Sequence, residues 1–133
     1  MSNITPLIIE KTTKTPQIIF DPSNNFYEIS GRSLPENVVK TYEPVLQWID
    51  ANLGKIDNGI VFTFKVDYLN SASAKMVSLI LTKLEEYYKS GISIEVKWYY
   101  NYDDDDIQSE GEIYAKLKKI PITLIGVDDD DNE

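Results

Sequence analysis

Apolar and polar residues alternate along Gly59–Leu69, "GIVFTFKVDYL", with Ile60, Phe62, Phe64 and Val66 set against Val61, Thr63, Lys65 and Asp67. Successive side chains of an extended chain point to opposite faces, so this period of two predicts a half-buried strand. The same alternation returns in "ISIEVKWYY" (Ile92–Tyr100). Shorter apolar runs at "PLIIEK", "PQIIFD", "FYEISG" and "IPITLIGV" read as further strands. "PSNN" between "PQIIFD" and "FYEISG" supplies turn formers, which predicts an N-terminal β-hairpin.

Between the strands the period changes to that of a helix. Val38, Val39, Tyr42, Val45, Leu46, Ile49 and Leu53 recur at helical spacing before Gly54, a natural stop. Pro44 lies inside that pattern and predicts either a kink or a helix that begins near Tyr42. A second helix runs from Ser71 to Ser90, with Ala72, Met76, Leu79, Ile80, Leu84 and Tyr87 as its apolar set and Gly91 as its end. A third spans about Asp105–Lys118, with Ile107, Tyr114 and Leu117 turned inward. The resulting order is β-β-β-α-β-α-β-α-β. Strands alternating with helices imply right-handed crossovers and a largely parallel sheet, made mixed by the hairpin.

Composition narrows the class. The chain has 133 residues, 42% of them hydrophobic, enough to bury a core and within the usual size of one domain. We read residues 1–127 as that domain and 128–133 as a disordered acidic tail. Its charge of −9 is concentrated: Asp128–Glu133 carries five acids and Asp103–Asp106 four, while the rest of the chain balances. Clustered Lys and Arg are lacking, so neither nucleic acid nor an anionic membrane surface is expected as a partner. No apolar run reaches the roughly 20 residues of a membrane span. The absence of cysteine and of a signal-peptide pattern points to a cytoplasmic protein.

The chemistry on offer is sparse. There is no histidine, hence no imidazole base or metal ligand, and no glycine-rich phosphate loop. No cofactor is expected. "YDDDDIQSEGE" could offer oxygen ligands to a hard cation, but it lacks the alternation of a calcium loop; its simpler role is a solvated turn whose last acids favour the next helix N-terminus. "YLNSASAKM" (Tyr68–Met76) holds the remaining candidates, Ser71 and Ser73, where strand gives way to helix. Lys75 would permit a Ser–Lys nucleophile, although a lysine one turn along a helix carries little information. Two readings of the serines stand open. Asn70 or Ser71 caps the helix through a backbone N–H. Alternatively, a hydroxyl beside unpaired N–H groups and a positive dipole end is a place where a phosphoryl group can be written and erased.

Three boxes carry a family resemblance: G-x-S-x-PEN at Gly31–Asn37, Y-x-N-S-x-S-x-K at Tyr68–Lys75, and W-Y-Y followed by acids and E-G-E at Trp98–Glu112. With "IPITLI" they make the chain resemble the SiaC family of bacterial regulatory phosphoproteins from about Ile18 to Ile125. The resemblance implies a STAS-like α/β fold and a non-enzymatic partner switch. It implies a cognate Ser/Thr kinase, a PP2C-type phosphatase and an output protein such as a diguanylate cyclase, which would link the switch to cyclic-di-GMP and biofilm formation. Carried over by position, the phosphoacceptor is Ser71, with Ser73 as alternative and Asn70 and Lys75 supporting the site. Asp103, Asp104, Asp105, Asp106, Glu110 and Glu112 are candidates for partner binding. The other reading is a small acidic module that binds a protein or cation without phosphorylation.

Overall fold

A computed structural model describes residues 4–128. The acidic tail expected at 128–133 therefore lies, apart from Asp128, outside the described residues. Six strands, β1 (Leu7–Ile9), β2 (Gln17–Asp21), β3 (Phe26–Ser33), β4 (Ile60–Leu69), β5 (Ile94–Asn101) and β6 (Ile122–Val127), form one sheet in that spatial order. The first three pair antiparallel, with Pro22–Asn24 and the left-handed Asn25 closing the expected hairpin. From β3 onward the pairing is parallel. Helices α1 (Val38–Asn52), α2 (Ser71–Lys89) and α3 (Asp105–Leu117) make the three crossovers. Each crossover leads to the next strand in the same direction, and right-handed connections then place all three helices on one face.

The alternating residues of every strand feed that face. Leu7, Phe20, Tyr27, Phe62, Val96 and Ile122 make one row across the sheet, and Ile9, Ile18, Ile29, Phe64, Trp98 and Leu124 the next. The large aromatics of these rows are fully or almost fully buried and touch in series, Phe20–Phe62 at 4.9 Å and Phe64–Trp98 at 5.4 Å between centroids. On the opposite face Lys65 pairs with Glu28 (3.6 Å) and lies over the Tyr99 ring.

Several helical details differ from the periodic reading. α1 starts at Val38, capped by the Asn37 side chain on Lys40 N–H (3.0 Å), and runs through Pro44 rather than beginning near Tyr42. Pro44 has no N–H to donate to the carbonyl of Lys40 one turn before it. The buried stripe of α2 is Ser73, Val77, Ile80, Leu81 and Leu84, so Ala72 and Leu79 face solvent. This stripe contains a polar residue that a hydropathy pattern does not count. In α1 Trp48 is buried while Val39 is exposed. α3 turns Ile107, Gly111 and Tyr114 inward, and the next member of that stripe is Lys118; Leu117 is therefore exposed.

Candidate functional site

The junction of β4 and α2 is shaped by an irregularity in the preceding strand pair. Gly31 pairs with Val66 but Arg32 with Tyr68, so Asp67 is an extra residue, and Gly31 adopts φ +97°. A bulge re-aims the side chains that follow it. Beyond it Ser33 points into the core, and Asp67 and Tyr68 stay exposed.

Asn70 has extended backbone angles and caps α2, its Oδ1 accepting the Ser73 N–H at 2.8 Å and its C=O the Ala74 N–H at 2.9 Å. The cap is thus Asn70 and not Ser71. Ser71 is the first helical residue and is exposed; Lys75 lies one turn further along, also exposed. A solvated ammonium is not the desolvated amine that a Ser–Lys nucleophile requires.

Ser73 lies elsewhere. It is completely buried, and its Oγ accepts a hydrogen bond from Ser33 Oγ at 2.7 Å. Ser33, also fully buried, lies 2.6 Å from the Tyr42 hydroxyl of α1. Since the single Ser33 proton goes to Ser73, Tyr42 is the donor to Ser33. Burial pushes the Tyr42 phenol up, an effect opposed by its contacts with Ser33 and Ser73. The boxes at Gly31–Asn37 and Tyr68–Lys75, some forty residues apart, meet through this chain.

On its other side the junction faces α3 across a cleft of about 530 Å³. Asp67, Tyr68, Asn70 and Ser71 form one wall, and Asp104, Asp106, Ile107 and Glu110 the other; no lysine or arginine lines it. Asp104 caps α3 by accepting the Ile107 N–H at 3.0 Å, and Asp105 and Asp106 occupy the first turn, where carboxylates favour the positive end of a helix. Tyr114 ties together two residues that line the cleft, its hydroxyl reaching both the Ala74 carbonyl (3.0 Å) and the Glu110 carboxylate (2.5 Å). Burial first, and then the hydrogen bond to Glu110 and its charge, raise its pKa far above the usual phenol range.

The candidate residues therefore divide. Ser71, Asn70, Asp104, Asp106 and Glu110 share the cleft. Asp103 and Asp105 are exposed beside it, and Glu112 points outward to Gln108 (3.4 Å). Among the described residues no three acidic side chains are grouped to hold a metal ion. Asp67, Ser33, Tyr42 and Tyr114 were not singled out from sequence. Ser33 carried a usable signal: a serine at an inward position of a strand needs a polar partner inside the core.

The family model for SiaC family regulatory phosphoproteins matches residues 9–127. The chain belongs to the SiaC family. A protein of Pseudomonas aeruginosa strain UCBPP-PA14, described only as uncharacterized, is 25% identical over 118 residues, covering 89% of this chain and 94% of that protein. Among solved structures, SiaC of Pseudomonas aeruginosa in complex with the diguanylate cyclase SiaD, of which SiaC is the activator, superimposes with a TM-score of 0.85 at 25% identity, covering 91% of this chain and 99% of that one. Apo-SiaC from the same organism gives 0.81 at 26% identity, with 90% and 98% covered. The fold is thus the SiaC fold across nearly all the described residues. Among those residues no helix is long and apolar enough to cross a membrane.

Proposed function

We propose that this SiaC-family protein is a non-enzymatic switch, phosphorylated on Ser71 by a cognate Ser/Thr kinase and restored by a PP2C-type phosphatase, whose phospho-state governs binding to an output protein, a diguanylate cyclase being the first to test. The observation that supports it best is the contrast between the two serines: Ser71 is exposed on the rim of the cleft, whereas Ser73 has no accessible surface. A kinase must reach the acceptor hydroxyl, so Ser71 is the acceptor.

A phosphoryl group brings about −1.5 to −2 charges. On Ser71 it meets free N–H groups at the helix start and Lys75 one turn on, which accept it locally. It also meets the carboxylates of Asp67, Asp104, Asp106 and Glu110, which repel it. A partner that pairs a basic group with these acids and packs closely on the Ser71 rim loses that fit on phosphorylation through the bulk and the desolvation cost of the phosphoryl group, which outweigh the added attraction. The complex of SiaC with SiaD supports a cyclase as the partner to try first.

The test is intact-mass and fragment mass spectrometry after incubation with the cognate kinase and ATP, with Ser71→Ala alongside. One phosphate on Ser71, absent from the variant, is expected. A phosphate that persists in Ser71→Ala refutes the assignment. Titration of a diguanylate cyclase with the two phospho-forms then reads the switch, and equal affinities would remove it. Charge-neutral Asp104→Asn, Asp106→Asn and Glu110→Gln together are expected to weaken the unphosphorylated complex. If they leave it unchanged, those acids have no part in docking.

A further inference from the structure

The buried hydroxyl chain does more than satisfy its own polar groups. Apolar side chains of similar shape would serve the core about as well as a fully bonded hydroxyl trio. Capping does not call for it either, because Asn70 alone takes the Ser73 N–H. Its effect is geometric. Ser33 holds the start of α2 at two points: its carbonyl accepts the Asn70 N–H at 3.0 Å and its hydroxyl donates to Ser73 Oγ at 2.7 Å. Only Ser71 and Ala72 lie between those attachments. Tyr42 extends the clamp into α1.

We propose that Ser33, Tyr42 and Ser73 are positioning residues for the Ser71 site: they hold the first turn of α2 in the pose in which Ser71 is presented, and they couple that turn to α1. The functional half rests on the reading of Ser71 as phosphoacceptor; the clamp itself does not. In this arrangement Ser73 is part of the device that presents the acceptor hydroxyl. Ser33 contributes most, since its loss removes both the bond to Ser73 and the bond to Tyr42. Tyr42 is an end member, and its loss leaves the Ser33–Ser73 bond intact.

Amide hydrogen exchange of the full chain, followed by NMR, tests the clamp without any partner. In Ser33→Ala the amides of Asn70, Ser73 and Ala74 are expected to exchange on the order of tenfold faster, and in Tyr42→Phe about threefold faster, as local opening eases. The amides of Phe62 and Phe64 in β4 should change far less, and Ser90→Ala, at the other end of α2, should leave the first turn as it was. No acceleration in the first turn, or an equal one in β4, overturns the clamp. With the cognate kinase, kcat/KM for Ser71 should fall in the same order, Ser33→Ala below Tyr42→Phe below wild type. An unchanged or raised value in Ser33→Ala overturns the positioning role. If the wild type takes up no phosphate at Ser71, the acceptor reading and the positioning role fall together, while the exchange pattern still decides the clamp.

Discussion

Substituting Gly111 by alanine tests how α3 is seated and, with it, the acidic wall of the cleft. An Ala Cβ there would come within 2.3 Å of Trp98 Cδ1, 2.6 Å of Nε1 and 2.9 Å of Cγ. Carbon atoms in contact ordinarily stand about 3.5–4.0 Å apart, so ring and helix must separate by roughly 1 Å. The ring has nowhere to go. Trp98 is fully buried, its Nε1–H donates to the Ile107 carbonyl at 2.9 Å, and Phe64 and Tyr114 each lie 5.4 Å away by ring centroid. Overpacking costs about 1–3 kcal/mol, and a stranded indole N–H adds about 1–3 kcal/mol. Helix propensity returns about 1 kcal/mol. The expected loss is therefore about 1–5 kcal/mol, or a fall in Tm on the order of 10 °C near the middle of that range for a chain of this size. Urea unfolding followed by tryptophan fluorescence and by circular dichroism measures it. Gly54→Ala is the control, because its added Cβ meets nothing nearer than 3.9 Å and should be neutral or slightly stabilising. The reasoning is refuted if Gly111→Ala is as stable as the wild type, or more stable by the propensity gain.

Three further outcomes follow from the same geometry. Asn70→Ala should lower stability by about 1 kcal/mol through loss of the cap, and Ser71→Ala by less than about 0.5 kcal/mol; equal shifts in urea midpoint would show that Asn70 does not carry the cap. Asp104→Ala should likewise cost about 1 kcal/mol and speed amide exchange at Ile107, whose N–H it accepts; unchanged exchange there would count against it. The Glu85 carboxylate accepts the Lys119 backbone N–H, which holds its pKa below the usual value of 4.5. A depressed carboxylate contributes stability that is complete above its unfolded-state pKa and lost as pH falls through the folded-state value. Urea midpoints of the wild type and Glu85→Gln should therefore differ at pH 7 and draw together as the pH falls below 4.5, and a gap that does not narrow would refute this.

The sheet was legible because its evidence is local. Period-two alternation in Gly59–Leu69 and Ile92–Tyr100 shows directly which side chains are inward, and both strands form with those faces buried. The element order then leaves few parallel topologies, since right-handed crossovers with short loops place successive strands side by side. Helix faces were less legible. In α2 the ten apolar positions outnumber those that one stripe can bury, and periodicity does not fix which edge meets the sheet. Leu79 and Leu117 were assigned inward for their hydropathy, but the inward stripe in each helix is set by a residue that hydropathy discounts, Ser73 in one and Gly111 in the other.

The same asymmetry explains why the candidate site was half legible. Ser71 and Ser73 differ by two residues, which is about 200° around a helix, so a helix packed on a sheet must expose one when it buries the other. Spacing alone gives that division but not its sense. The sense comes from Ser33, forty residues away, whose inward position continues the alternation of Tyr27 and Ile29 in β3 and whose hydroxyl meets Ser73. Were Asp67 paired in register, the side chains beyond it would exchange faces with respect to β3, and Ser33 would have no hydroxyl of α2 to meet. The acids show the converse. Asp103 to Asp106 are contiguous in sequence and read as one charged patch, yet the start of α3 turns Asp104 and Asp106 into the cleft and leaves Asp103 and Asp105 outside it. What faces Ser71 is therefore a set drawn from three elements, Asp67 of β4, Asp104 before α3, and Asp106 and Glu110 within it, which no single segment of the sequence displays.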